Sequence, residues 1–388
     1  MTKDSAPTFS MSQSLKESFQ EAAQDCIGCN RCQVGCPLLR TFGENPKDLL
    51  QSLAQADTAS LDIPYACFQC NYCTAVCPKA IDMKALFFKM RQEAMRHYQG
   101  KLPSRYKSHV VRQHQKNSFS KVFSAPIVSP MEEAKTLFFP GCSLMGYSPQ
   151  LIEQTYSYLL EKNPEMGIYI QCCGKPTLSL GDEAGFADYK AHIQEACKQK
   201  KVGQIITACP NCTLTLEGLK GIEVLSLWTW IADIGLPPEV KGKYKASPIQ
   251  WTLHDPCALR SKDKVHQAVR DLLKEMGVNY TEMPQNRGQT LCCGSGGMVG
   301  VTSPQMAQEQ RQRRQQAAPT DYILSYCQEC CQSLAGDRIE TLHLLDLIFH
   351  QGEKVQETLP LRSLNHWYNR HKIKRKILKD GGKHVGKI

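Results

Sequence analysis

The chain has 388 residues, enough for two or three domains, and 20 of them are cysteine. The polar start MTKDSAPTFSMSQSLKESFQ lacks the apolar core of a secretion signal, and no apolar run approaches the length of a membrane span. A secreted disulfide scaffold is therefore disfavoured, and a cytoplasmic protein that spends its thiols on metal is expected, with the net charge of +10 gathered mainly in the last 27 residues (nine Lys and Arg against one Asp).

Eight cysteines lie between Cys26 and Cys77, in CIGCNRCQVGCP and CFQCNYCTAVCP. Both follow C-x2-C-x2-C-x3-C-P, the run of bacterial two-cluster ferredoxins. Thiolates are the soft ligands that iron–sulfur clusters require, whereas a zinc site needs only four of them and neither the triple run nor the proline. That proline is expected to turn the chain away. The likeness to ferredoxins implies crosswise ligation of two cubane [4Fe-4S] clusters. Cys26, Cys29, Cys32 and Cys77 would hold one, and Cys67, Cys70, Cys73 and Cys36 the other. Thirty residues separate the runs, more than in a minimal ferredoxin. Residues 1–96 thus resemble the helical two-cluster modules of succinate dehydrogenase-type and heterodisulfide reductase-type subunits.

Residues 97–135 contain no cysteine, are basic and polar, and end in proline-containing turns. They read as a connector with one or two helical turns. From Thr136 onward, short apolar runs alternate with helical periodicity. TLFFPGC, GIYIQCCG and QIITACPNC read as strands ending at Cys142, Cys172 and Cys209. PQLIEQTYSYLLEKNP and Glu183 to Lys200 read as the helices between them, the first with Ile152, Tyr156, Leu159 and Leu160 on one face. The order then repeats, with strands IQWTLHDPC, VNYTEM and DYILSYCQEC. The helix KVHQAVRDLLKEMG carries Val265, Val269, Leu272, Leu273 and Met276 on its apolar face, and a Gln/Arg-rich helix follows the second CCG. This is a duplication over 136–245 and 246–350, with a basic tail at 351–388. Strands alternating with helices predict parallel sheets, with sites outside the carboxyl ends of the strands. The fold class expected is α+β overall: a mainly helical two-cluster module followed by two α/β domains with parallel strands.

Each repeat offers five thiols in the same order: Cys142, Cys172, Cys173, Cys209 and Cys212, then Cys257, Cys292, Cys293, Cys327 and Cys330. A vicinal disulfide at each CC would be a strained, easily reduced ring and would leave the other three cysteines unexplained. A zinc or cubane site leaves one thiol over, and a cluster with more than four thiolate ligands uses all five. The glycine after each pair suits a backbone turning sharply beside a bulky inorganic group.

FFPGCSL, CCGKP, CPNC, HDPC, CCGSGG and CQEC resemble the cysteine-rich CCG domain of heterodisulfide reductase catalytic subunits. Together with the two-cluster module, they are also similar to the iron–sulfur subunits of anaerobic glycerol-3-phosphate dehydrogenase and of glycolate and lactate oxidases. The resemblance covers roughly Ala22 to Phe349. It implies one or two noncubane [4Fe-4S] clusters on the ten cysteines of the repeats, which are then the candidate catalytic sites.

Other residues are read as structural. Cys331 stands where the first repeat has Thr213, and Cys197 lies in a polar helix without a partner. His254 and Asp255 can deliver a proton to a thiolate or brace the loop, and the bracing role is favoured. Glycines 294, 296, 297 and 300 do not form G-x-G-x-x-G, so no nucleotide site is expected there. No flavin signature is present, so any flavin belongs to another chain.

The resemblance implies an oxidoreductase subunit that passes electrons through two cubanes to CCG clusters that reduce a disulfide. The alternative is a non-catalytic relay from a flavoprotein dehydrogenase of glycerol-3-phosphate, lactate or glycolate type to quinone or another acceptor. The partners expected are a flavoprotein or other redox subunit and a peripheral membrane or quinone-linked partner at the inner face of the membrane, docked through the basic segments; nucleic acid is not expected.

Overall fold

The computed structural model describes residues 6–349 and 363–381. Its chain divides into two compact units, neither continuous in sequence. The first comprises Met1–Gln113, Pro176–Phe186 and Gln289–Gln316; the second comprises His114–Lys175, Ala187–Gly288 and Ala317–Ile388.

The first unit is mainly helical. Ser12 caps the helix Gln13–Asp25 by accepting from Leu15 N at 3.2 Å, and Leu15, Phe19, Ala22 and Ala23 form its buried stripe. That stripe meets the helix Pro46–Gln55, which buries Leu49, Leu50 and Leu53. A third helix, Met83–His97, is capped by Asp82 and buries Leu86, Phe87, Met90, Arg91 and Ala94. Strands β1 (Thr8–Ser10) and β2 (Thr58–Ser60) pair antiparallel beside it. The connector holds more helix than its composition implies. Ser108–Ser118 is an eleven-residue helix, about three turns.

The second unit holds two sheets. The connector supplies β3 (Ile127–Val128), and the first repeat supplies β4 (Thr136–Phe139), β5 (Gly167–Tyr169), β6 (Gln204–Thr207) and β7 (Glu223–Ser226). The second repeat supplies β8 (Trp251–His254), β9 (Tyr280–Glu282), β10 (Tyr322–Ser325) and β11 (Glu340–His343). The sheet orders are β3-β5-β4-β6-β7 and β11-β10-β8-β9. In both, the repeat's first strand lies between its second and third, and its fourth is outermost. All pairings are parallel except the antiparallel edge of β3 on β5. The duplication read from the cysteines is therefore a duplication of topology, and the fold class is α+β as expected.

TLFF and WTLH are nearly continuous buried runs because strands of a parallel sheet are covered on both faces. The helix Asp263–Met276 buries the five apolar residues of its expected face. One apolar core includes Phe138, Ile152, Tyr156, Leu253, Leu272 and Leu324 from both repeats. The fourth strand and its following helix in each repeat, β7 with Leu227–Ile234 and β11 with Leu344–Ile348, went unread in the sequence. Part of the basic tail, 363–381, lies among the described residues. Leu364–Lys379 is a helix that buries His366, Arg370, Ile373 and Ile377, so this part of the tail is packed rather than solvated.

Candidate metal centres

The two N-terminal runs share one backbone design. Asn30 and Asn71, each following the second cysteine of its run, have φ of +58° and +60°, and Gly28 and Gln69, just before it, have φ of +68° and +55°. Such left-handed residues turn successive N–H groups to one side, a concavity suited to anions and iron–sulfur clusters. Gln69 N lies 3.4 Å from Cys67 Sγ, and the N–H groups of Leu38 and Leu39 face Cys36.

The thiols gather crosswise. Cys26, Cys29 and Cys77 surround Cys32, whereas Cys67 and Cys70 neighbour both Cys36 and Cys73. Cys26, Cys29, Cys32 and Cys77 line one pocket with Pro78 and Met83, and Cys73, expected in the other set, lines it too. Burial, then the charges of Cys26 and Cys77, push Cys32 up to about 11. Burial pushes Cys67 up to about 11 although Arg91 opposes it, and burial with neighbouring thiols drives Cys36 and Cys73 higher still. Cys32, Cys36, Cys67 and Cys73 thus ionise readily only when a cation takes up their charge, so these donors fit iron–sulfur clusters. The proline after Cys36 does not turn the chain away. Cys36 precedes the helix Pro37–Phe42, and Pro37 opens it, because a first-turn proline loses no hydrogen bond.

Arg91 explains how this unit is tied together. It is fully buried and donates to the carbonyls of Pro64 (2.8 Å), Cys67 (2.7 Å), Gly297 (2.6 Å) and Ser179. These carbonyls come from the short helix Asp62–Tyr65, from the first cysteine of the second run and from the segments following both CCG motifs. Gly296 and Gly297 lie so close to the Phe68 and Cys67 carbonyls that any side chain would collide with them. The glycines of CCGSGG thus pack against the second ferredoxin-type run.

In the first repeat the five thiols converge at the carboxyl edge of the sheet. Cys142 begins the helix Cys142–Tyr147 after β4, and Cys209 caps the helix Pro210–Leu216 after β6. Cys142 Sγ and Cys172 Sγ are 3.9 Å apart, and Cys173 hydrogen-bonds with Cys172 and Cys212. Gly141, with φ +85°, places its backbone against Cys209 and Cys212. The glycine that follows the paired cysteines directs a donor at them, since Gly174, with φ +81°, turns its N–H back onto Cys172 Sγ. Thiol donors Cys172 and Cys212 pull Cys173 down to about 5. Contact with Cys172 and burial hold Cys142 well above the usual thiol range, and contacts with Cys173 and Cys209 do the same for Cys212. Cys142, Cys172 and Cys212 are thus held neutral beside a thiolate at Cys173, and a bound cluster would balance the charge of their ionised forms.

The second repeat reproduces the parts. The N–H of Gly294 (φ +88°) lies 3.3 Å from Cys292 Sγ, and Gln310 Nε2 donates to Cys292 O at 2.9 Å. In the other unit, Cys257 follows β8 and Cys327 caps the helix Gln328–Leu334, which carries Cys330. Pairing of His254 with Ser325 sets the ends of β8 and β10 side by side.

The residues set aside behave structurally. Cys331 Sγ lies 3.5 Å from Leu342 O, and Cys197 is buried in an apolar cluster. Burial opposes the Asp255 charge, but Arg270 (2.7 and 2.9 Å), Tyr326 Oη (2.6 Å) and Arg287 N (2.7 Å) outweigh it and hold the carboxyl down to about 2. It is a brace. Sequence reasoning missed Arg91, Arg370 and the connector residues His114 and Gln115. Gln115 Oε1 lies 3.2 Å from Cys172 Sγ, and His114 hydrogen-bonds Cys142. The only trace of His114 and Gln115 was the one or two helical turns expected in the connector, and Arg91 and Arg370 left none.

Known proteins carry the same parts. The model of the 4Fe-4S dicluster domain matches residues 22–81, and that of the cysteine-rich domain, CCG, matches twice, at 136–217 and 251–335. The chain joins a 4Fe-4S dicluster domain to two cysteine-rich CCG domains. An uncharacterized iron–sulfur protein of Methanococcus maripaludis is 26% identical over 79% of this chain and 66% of its own length. One subunit of the fumarate reductase (CoM/CoB) of Methanothermobacter marburgensis is 25% identical over 87% of this chain and 71% of its length. One subunit of the dihydromethanophenazine:CoB–CoM heterodisulfide reductase of Methanosarcina mazei is 24% identical over 87% of this chain and 94% of its length. The chain thus spans just under two thirds of the first of these relatives. Among the described residues, no helix is long and apolar enough to cross a membrane.

Proposed function

We propose that the chain is the iron–sulfur electron-transfer subunit of a heterodisulfide reductase-like redox complex, working with a flavoprotein or other redox subunit. The observation that carries this reading is the convergent five-thiol set of the first CCG domain, in which Cys172, Cys173 and Cys212 are buried and Cys142 and Cys209 half-buried. Cys142, Cys172, Cys173, Cys209 and Cys212 are its proposed ligands, and Cys257, Cys292, Cys293, Cys327 and Cys330 those of a second noncubane [4Fe-4S] cluster. Cys26, Cys29, Cys32 and Cys77 are proposed to ligate one cubane, and Cys36, Cys67, Cys70 and Cys73 the other. When bound, such clusters supply one-electron redox steps.

The chain's own residues do the rest. Backbone N–H groups of Gln69, Gly174 and Gly294 point at ligand sulfurs and stabilise their charge. Burial of Cys172 and Cys173 keeps water away. The contact of Gly296 and Gly297 with the Cys67–Phe68 backbone sets the second CCG motif beside the second cubane's ligand run, a short route for electrons. Reduction of a disulfide at a CCG site takes two electrons, one at a time, and two protons, and yields two thiols.

A second reading, relay from a flavoprotein dehydrogenase to a quinone-linked acceptor at a membrane surface, is favoured by one observation. The C-terminal helix exposes Lys372, Arg375 and Lys379 together with Leu364, Tyr368 and Leu378. Anaerobically purified protein separates the two. About sixteen iron per chain is expected for four clusters. Titration of the oxidised protein with a thiol–disulfide pair should perturb its electron paramagnetic resonance spectrum. No perturbation by any thiol or disulfide would sink the catalytic reading in favour of the relay, and a colourless zinc-loaded protein would remove both.

A further inference from the structure

The C-terminal helix Leu364–Lys379 comes from the basic tail, which the proposed electron route does not use. It is clamped onto the helices that carry the first five-thiol set. Asn369 Nδ2 donates to Gly146 O at 2.9 Å and to Tyr147 O at 3.2 Å, on the helix that Cys142 begins. The His366 ring lies against Gly146 so closely that any side chain there would overlap it. Arg370 is fully buried on this inner face. Its Nη1 donates to Ser118 Oγ at 2.8 Å, and its guanidinium lies 4.8 Å from the centroid of the Trp367 ring. Ser118 is one turn along from Gln115, whose Oε1 lies 3.2 Å from Cys172 Sγ. His114, on the same helix, hydrogen-bonds Cys142.

Among the described residues Arg370 has no carboxylate partner, and its Nε has no hydrogen-bond partner. A buried guanidinium without a counter-charge is strongly unfavourable, so such a cation persists only where an anion faces it. The groups that act on its charge are Cys142 and Cys172, neutral thiols until a metal takes up their charge and, once ionised, the anions that offset the effect of burial on the guanidinium.

We propose that Arg370 is the counter-cation of the first five-thiol site: held by the C-terminal helix beside Cys142 and Cys172, it offsets the charge of the metal-bound thiolates and raises the reduction potential of that site. This rests on the reading that these five cysteines hold an iron–sulfur cluster. A fixed positive charge in a water-poor interior stabilises the more negative, reduced state, and net charge near a cluster is one of the levers that sets its potential. The tail is then a working part of the first CCG site rather than an appendage.

The test uses the full-length protein, purified anaerobically, with iron analysis and potentiometric titration followed by electron paramagnetic resonance. The first-site signal is assigned by its loss in Cys173→Ala. Arg370→Gln removes the charge and keeps a hydrogen-bonding side chain; its first-site midpoint should move to more negative potential. Arg370→Lys should move it back toward the wild-type value. Wild-type potentials in Arg370→Gln, or equal shifts in both variants, overturn the counter-cation role. If Arg370→Gln fails to retain its cluster, retention restored by Arg370→Lys supports the role, and equal loss in both overturns it. A wild-type protein with no signal sensitive to Cys173→Ala overturns the cluster reading itself, and the role of Arg370 falls with it.

Discussion

Arg91 donates to the carbonyl of Gly297 at 2.6 Å, across 206 residues of sequence, and the same guanidinium donates to Cys67 O at 2.7 Å. One side chain therefore fixes the end of the CCGSGG motif against the second ferredoxin-type run. Arg91→Met leaves four buried carbonyls without this donor. A loss of about 3 kcal/mol or more is expected, because each unsatisfied buried group costs about 1–3 kcal/mol. Thermal unfolding of the iron-loaded protein measures it, and stability unchanged within about 0.5 kcal/mol would show that the carbonyls find other donors.

Gly297 and Gly300 make a matched pair. Gly297 has φ +62° and no room for a Cβ beside Cys67 O, whereas Gly300 lies in the helix Val299–Thr302 with nothing within 4 Å. Gly297→Ala should cost about 1–3 kcal/mol from backbone strain and collision. Gly300→Ala should be neutral or stabilising by up to about 1 kcal/mol, since it restricts the unfolded chain. Melting temperatures of the two variants that coincide would contradict this packing.

Cys173→Ala and Cys293→Ala should each remove the noncubane signal of one repeat and about four of about sixteen iron per chain, while the cubane signals stay. Iron analysis with electron paramagnetic resonance reads both. Joint loss of all clusters would show that the two CCG sites do not assemble independently of the dicluster domain.

The outer face of the C-terminal helix can be separated from its buried face. Glutamate in place of exposed Lys372, Arg375 and Lys379 should leave stability nearly unchanged and weaken binding to an acidic surface, more so at low salt. Co-sedimentation with anionic vesicles over a salt series measures it. Ile373→Ala, by contrast, should cost about 2–5 kcal/mol because the side chain is fully buried.

Asp255→Asn removes the charge that Arg270, Tyr326 and the Arg287 N–H converge on. The folded carboxyl titrates near 2, below its unfolded value of about 3.9. Its contribution is therefore complete above about pH 4 and lost as the pH falls towards about 2. Denaturant unfolding should show a deficit of about 3 kcal/mol at pH 7 that closes over that acid window. A pH-independent deficit would mean that the packing of the side chain matters rather than its charge.

Much of this molecule was legible because cysteine is costly to misread. The spacing of Cys26, Cys29, Cys32 and Cys36 and of Cys67, Cys70, Cys73 and Cys77 marked the dicluster domain. The matched order of the ten later cysteines marked the duplication, and those of the first repeat lie at the carboxyl edge of its sheet, as expected. Chain segments with weaker signals were missed. β7 and β11 are only four residues long, and each runs straight into an apolar helix, so no alternation marks them. Pro37 was misjudged because proline both ends and begins helices, and only the neighbouring φ and ψ values distinguish the two.

By itself the sequence determined which residues can be ligands and that the design is doubled, because ligand chemistry and repeat spacing are local properties. Tertiary structure alone decided what surrounds those thiols. Arg91, Gln115 and Arg370 carry no motif. Their roles come from burial, which makes a lone guanidinium seek carbonyls or thiolates, and from chain folding that joins segments as distant as Ser118 and Arg370. The glycine of each CCG motif belongs to both accounts: the sequence marked it as a turn, and only the fold showed its N–H directed back onto the first sulfur of the pair.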